Sequence, residues 1–202
     1  MNINKIFYGG LIVIAFLFLV ISLIRYNNRS LYIQEQELTA YLNDGDIICR
    51  LGGKIWSPIF AEISPNDKRF SHIGIIRVRD DFVSVIHVEG VSSDKRGYTK
   101  DVPLKEFLKA ARTIGIYRVK NIDGYLLSDV ALNYLGLPFD WDFDMDDSTK
   151  LYCTELLYVV LKRLDPSIIL NTIWLEAVGK YILPIDVVSQ SENFLEIGYW
   201  EK

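Results

Sequence analysis

Two apolar stretches joined by a short acidic turn limit how the middle of this chain can fold. Ser71-His72-Ile73-Gly74-Ile75-Ile76 opens a β-rich run that extends to Arg79. Val85-Ile86-His87-Val88-Glu89-Gly90 closes a second run that begins at Phe82, with Asp80-Asp81 between the two. β-Branched residues on both sides of a turn specify an antiparallel hairpin. These stretches hold both histidines of the chain. Side chains alternate along a strand, so His87 and Glu89 share a face, and hairpin pairing can set His87 across from His72.

The third element of the pattern lies downstream. Leu151-Tyr152-Cys153-Thr154-Glu155-Leu156-Leu157 opens a strongly apolar helix predicted over 151–164, with Cys153 at its start. The helix dipole and the unpaired N–H groups there favour a thiolate and can hold an oxyanion. Thiol catalysis needs a cysteine, a base beside it and a polar group that orients the base. Cys153 and His72 suit the first two roles, and His87 or Glu89 the third. Each has a plain structural reading when taken alone, as a buried cysteine or a half-buried strand histidine. Their combination is what points to catalysis.

Residues Ile6 to Ile24 read IFYGGLIVIAFLFLVISLI, 19 residues without a charge, flanked by Lys5 and by Arg25 and Arg29. A helix needs roughly 20 such residues to cross a hydrocarbon core. A cleaved signal peptide would have a shorter apolar region and a small-residue cleavage site, which is missing here. The run is therefore expected to be an uncleaved single-pass anchor (residues 1–29 with its flanks). The flanking charges nearly balance, so they do not set its orientation. A bacterial envelope protein with its domain on the extracytoplasmic side is the expectation.

Beyond the anchor, residues 30–42 have helical spacing and are expected to form a linker helix, with Ser30 as its cap. Residues 43–202 are expected to form one domain. Asp46 to Leu51 and Thr113 to Lys120 read as further strands, and Leu195 to Tyr199 as a closing one. Asp123 to Leu135 reads as a helix that stops at Gly136, and Val102 to Leu108 as a short helix with Pro103 in its first turn. Ser92 to Asp101 reads as polar turn, and Pro166 to Ile182 as helical. Strands followed by helices give an α+β class. The apolar share of 50 % supports a real core, and the net charge of −4 gives no basic stripe for nucleic acid. Nothing in the sequence sets an oligomeric state.

Cys49, in Gly45-Asp46-Ile47-Ile48-Cys49-Arg50, reads as a small core residue on a buried strand, and two cysteines make no disulfide framework. There is no CxxC or HExxH pattern, so neither a metal nor another cofactor is expected. Asp140, Asp142, Asp144, Asp146 and Asp147 superficially resemble the start of a calcium loop. The glycine and the distal glutamate of such a loop are missing, so a solvated loop bordering the site is expected instead.

The blocks Gly45-Asp46-Ile47-Ile48, Ser71-His72-Ile73-Gly74, Val85-Ile86-His87-Val88, Gly136-Leu137-Pro138-Phe139-Asp140 and Tyr152-Cys153-Thr154-Glu155-Leu156, in that order, resemble the circularly permuted NlpC-type papain-like hydrolases. The YiiX/YebB-like branch is the nearest in pattern, and lecithin retinol acyltransferase-like proteins share the permuted order. The similarity runs from about Asn43 to Pro184. It implies a small antiparallel sheet, often barrel-like, packed on helices. It also implies Cys153 as nucleophile, His72 as base and His87 as the third residue, with Glu89 in that role if the register shifts by two. Tyr152 is expected to line the oxyanion region.

Three functions fit this pattern. One is a membrane-anchored cysteine hydrolase that cleaves an amide bond, with a cell-wall peptide as the natural substrate. Another is a lipid acyl hydrolase or acyltransferase using the same thiol, with Trp56, Phe60, Phe139, Trp141 and Phe143 to receive an acyl chain. The third is a non-catalytic binding module on the same fold.

Overall fold

The computed structural model describes residues 17–20, 33–53, 57–91, 96–109 and 111–202. Strands β1 (Ile47–Gly52), β2 (His72–Arg79), β3 (Phe82–Val91), β4 (Arg96–Pro103), β5 (Ala111–Val119) and β8 (Phe194–Glu201) form one antiparallel sheet in the order β4-β3-β2-β1-β5-β8. Strands β6 (Ile173–Leu175) and β7 (Lys180–Ile182) form a separate hairpin. The helices are α1 (Ser57–Glu62), α2 (Leu104–Phe107), α3 (Gly124–Ala131), α4 (Cys153–Leu164) and α5 (Val187–Gln190).

Alternation along the strands sorts the core into two layers. Ile47, Cys49, Ile73, Ile75, Ile86 and Val88 pack with Leu156, Leu157, Val160 and Leu161 of α4. Ile48, Ile76, Val85, Ile114 and Ile116 face the other way and pack with Leu104 and Phe107 of α2 and with Ile33, Leu38 and Leu42. Arg50, His72, His87 and Glu89 have the strand parity of this second layer. The fold is α+β as expected, with the sheet sandwiched between helical and loop segments.

Three segments differ from the sequence expectation. Residues 33–42 form two short 3-10 turns, Glu35–Glu37 and Thr39–Tyr41, rather than a linker helix. Ile33, Leu38 and Leu42 are buried in the domain, so tertiary packing overrides a helix too short to stand alone. The polar stretch 92–101 holds most of β4, which is polar because it is the outermost strand on its side of the sheet. Residues 166–182 contain the β6–β7 hairpin instead of a helix, and Gly179, at φ +64°, supplies the turn.

Of the anchor expected over residues 6–24, only Leu17–Val20 fall within the described residues, and these are helical. No helix among the described residues is long and apolar enough to cross a membrane. Ser30 also lies outside the described residues.

Candidate active site

The site forms where two strands part. β1 pairs with β2 as far as Arg50 and His72, but the β2–β3 ladder ends at Ile75 and Ile86. Residues 72–74 are thus laddered on one side only. The start of α4 comes to the other side, where the Ile73 N–H acts on the Cys153 sulfur in the sense that favours its thiolate. Gly74 permits the crowding: a Cβ there would stand 2.4 Å from Val85 Cγ1 and 3.1 Å from His87 Cβ.

His72 Nε2 and His87 Nδ1 meet at 2.9 Å. Phe107 from α2 stacks on His72 at a ring separation of 5.6 Å and takes His87 on edge at 5.1 Å. His87 is 2 % exposed, and its Nε2 has no hydrogen-bond partner. Burial holds His87 well below the usual imidazole range, and the positive charges of His72, Arg50 and Lys100 push the same way against Glu89. His87 is therefore a neutral imidazole. Glu89 forms an ion pair with Arg50 at 2.9 Å, and the Arg50 guanidinium lies 4.5 Å from the Phe107 ring centre.

Cys153 is the first residue of α4, as expected, and its surroundings fix the helix start. The Tyr152 N–H donates to Glu155 Oε2 at 3.3 Å. The Leu183 N–H donates to the Tyr152 hydroxyl at 2.9 Å, and Thr154 Oγ1 donates to the Leu183 carbonyl at 2.6 Å. The helix terminus was expected to lower the thiol pKa. Instead, burial pushes Cys153 up to about 11, outweighing the N–H groups of Ile73, Thr154 and Cys153 that favour the thiolate. Burial likewise raises Glu155 to about 8, with Asp140, Asp144 and Asp147 adding to the effect. Cys49 is fully buried, and its thiol is raised by the same cause.

The segment before Cys153 is tied to β4. Thr99 N–H donates to the Leu137 carbonyl at 2.8 Å, and Phe139 N–H to the Gly97 carbonyl at 2.9 Å. Asp140, 0 % exposed, accepts from the backbone N–H groups of Asp142 and Asp144 and faces Lys150 at 3.5 Å. Lys150 also pairs with Asp142 and Asp147, and Lys180 with Asp144. Lys150 and Lys180 thus offset part of the charge of the acidic run. Among the described residues, no group of three or more His, Cys, Asp or Glu side chains is placed to hold a metal ion.

Cys153, His72, Tyr152, Arg50 and Glu89 line one cavity of about 840 Å³. Phe60, Phe139, Trp141 and Phe143 line it as well, whereas Trp56 lies outside the described residues. His87 sits behind His72, away from the lining. Sequence reasoning missed Arg50 and Phe107. The signal for Arg50 was a charge inside a run that otherwise reads as buried strand, which requires a partner.

Residues 41–193 match the permuted papain-like amidase enzymes of the YaeF/YiiX type, and this chain belongs to that family. YiiX of Escherichia coli strain K12 is 27 % identical over 126 residues, covering 59 % of this chain and 57 % of that protein. The matched region thus spans little more than half of that relative. A crystal structure of YiiX from Escherichia coli O157:H7, described there as a metalloprotein, superposes with a TM-score of 0.65 at 16 % identity. The superposition covers 79 % of this chain and 98 % of that one, and shows a shared fold.

Proposed function

We propose that this protein hydrolyses an amide bond through Cys153, His72 and His87, and that it does so from a membrane anchor formed by residues 6–24, with the domain on the extracytoplasmic side. The observation that carries this reading is that His72, hydrogen-bonded from behind to His87, lines the same cavity as Cys153 at the start of α4. In a family of amidases, these groups match the roles that thiol acyl transfer requires.

The raised thiol pKa means that the proton leaves Cys153 as the bond forms, rather than beforehand. His72 Nδ1 takes that proton, because Nε2 faces His87. The imidazolium Nε2–H then donates to His87 Nδ1, which requires the His87 proton to sit on Nε2. Cys153 sulfur bonds to the substrate carbonyl carbon, and backbone N–H groups at the helix start, beside Tyr152, hold the oxyanion. Collapse expels the amine, which receives its proton from His72, and leaves a thioacyl enzyme. Water, deprotonated by His72, attacks the thioester and restores the thiol. No step calls for a metal, so the metalloprotein description of the YiiX crystal structure is not carried over.

The test is incubation of the full-length protein with bacterial cell-wall peptides, followed by detection of newly released amines. Release by the wild type, with a fall of at least about 10³-fold in Cys153→Ala and His72→Ala, is the expected result. Full release by Cys153→Ala would overturn the reading.

A second reading is favoured by the aromatic wall. The Phe139 and Trp141 ring centres lie 4.7 Å apart, and those of Phe143 and Tyr152 5.2 Å apart. Such a wall suits an acyl chain, and the same residues would then cleave or transfer a lipid ester or thioester. Acyl release from lipid extracts, without amine release from peptides, would select it.

A further inference from the structure

The part-buried pair Arg50–Glu89 has no part in the proton transfers set out above, yet its placement gives it one. Arg50 on β1 stands in register with His72 on β2. Glu89 shares a face of β3 with His87, two residues away. The ion pair therefore reaches across the strand that carries the base. Arg50 is 7 % exposed and is held three ways: by Glu89 Oε1 at 2.9 Å, by the Phe107 carbonyl, and by the face of the Phe107 ring at 4.5 Å. That same ring touches both imidazoles. Both ends of the pair line the cavity with Cys153. An ion pair that is largely withdrawn from water adds little stability over apolar residues of the same volume, so its value lies in where its charges stand.

We propose that Arg50, clamped by Glu89 and Phe107, is a positioning residue that fixes the His72–His87 pair and biases Cys153 toward the thiolate, with Glu89 limiting that bias. The inference rests on Cys153 as the nucleophile. The two charges act on the sulfur in opposite senses: the guanidinium attracts a thiolate, and the Glu89 carboxylate repels it. The other titratable or charged groups around the site are His72 on β2, His87 on β3 and Lys100 opposite it on β4. Glu106 and Lys109 join the cavity lining from α2 and the residues after it, and Tyr152, Glu155 and Cys49 complete the set among the described residues. Of these, only Arg50 and Glu89 bridge two strands across the base.

The test is the rate of iodoacetamide labelling at Cys153 in the full-length protein from pH 7 to 10, located by mass spectrometry, with the buried Cys49 as an internal control; below the midpoint the rate rises tenfold per pH unit, so a displaced midpoint reads as a parallel shift of the profile. Arg50→Met is expected to raise the labelling midpoint, and Glu89→Gln to lower it, each by roughly 1 pH unit. Arg50→Lys keeps the charge and is expected to titrate close to wild type. The double variant Arg50→Met/Glu89→Met removes both charges and is expected to return near the wild-type midpoint. A purely structural role would move both single variants the same way or neither, and either result overturns the proposal. If Arg50→Met does not fold, Glu89→Gln and the double variant decide: an unshifted Glu89→Gln midpoint overturns it. Amide release by Cys153→Ala separates the two failures. An active Cys153→Ala defeats the nucleophile assignment, whereas an inactive one with flat titrations defeats only the role of Arg50.

Discussion

His72 and Cys153 are brought together by two different kinds of construction. The base stands on a β-strand whose register is set by backbone pairing with β1, and its ring is wedged between Phe107 and His87. The thiol stands at the end of a helix reached through a long loop, and that loop is organised around buried carboxyl groups, Asp140 and Glu155. The first side is held by packing and pairing, which change little with pH. The second includes Glu155, whose proton burial holds up to about pH 8. Rigidity at the base and pH sensitivity at the nucleophile are thus divided between the sheet and the loop.

The largest expected effect tests whether packing alone suffices on the sheet side. His87→Ala leaves Phe107 stacked on His72 but removes the Nε2 partner, and kcat/KM is expected to fall by about 10²–10³-fold. His87→Asn restores an acceptor and is expected to recover most of that loss. Equal activity of the alanine variant and the wild type would mean that stacking alone orients the base.

On the loop side, Asp140→Ala strands the backbone N–H groups of Asp142 and Asp144. A loss of about 3 kcal/mol in urea unfolding is expected, together with slower labelling of Cys153. A smaller effect returns to the sheet. Gly74→Ala presses a methyl group on Val85 and His87 and is expected to cost about 1–3 kcal/mol, with activity falling further than stability alone explains.

The smallest effect tests the claim of pH sensitivity. Glu155 has a folded-state pKa of about 8 against an ordinary value of 4.5, so the folded state holds its proton more tightly than the unfolded chain. Its contribution to stability is full below the ordinary value and is lost as pH rises through about 8. Glu155→Gln keeps the acceptor for the Tyr152 N–H and cannot ionise. Its unfolding free energy is expected to match that of wild type near pH 4 and to exceed it by about 1–2 kcal/mol between pH 5.5 and 6, with the gap still widening toward pH 8. Parallel pH profiles for the two proteins would remove Glu155 as the sensitive group.

The parts of the molecule that were legible in the sequence are those whose pattern is local. The β2–β3 hairpin shows as β-branched runs around Asp80-Asp81, and Cys153 shows as the first residue of an apolar helix. β4 was hidden because its residues are polar and its strand character comes from pairing with β3, a contact remote from its own composition. The β6–β7 hairpin was hidden because apolar spacing over 166–182 also fits a helix, although Gly179 and the aromatic pair Trp174 and Tyr181 favoured strands. Alternation puts His72 and His87 on one face of the sheet, but hairpin pairing does not join them: the β2–β3 ladder ends at Ile75 and Ile86, and its register would set Gly74 opposite His87. The Arg50–Glu89 link was not legible either, because it joins strands that no local pattern relates.

The tether between β4 and the loop leading to Cys153 also bears on solubility. β4 borders the sheet, and an unpaired strand border invites pairing with another chain. Here residues 136–139 occupy that border through hydrogen bonds to Gly97 and Thr99. Loosening the loop, by a change at Asp140 for instance, would uncover the backbone groups of β4 as it displaced the thiol. Variants that lose the nucleophile's position through this loop are therefore expected to aggregate as well, and those that disturb the base from within the hairpin are not.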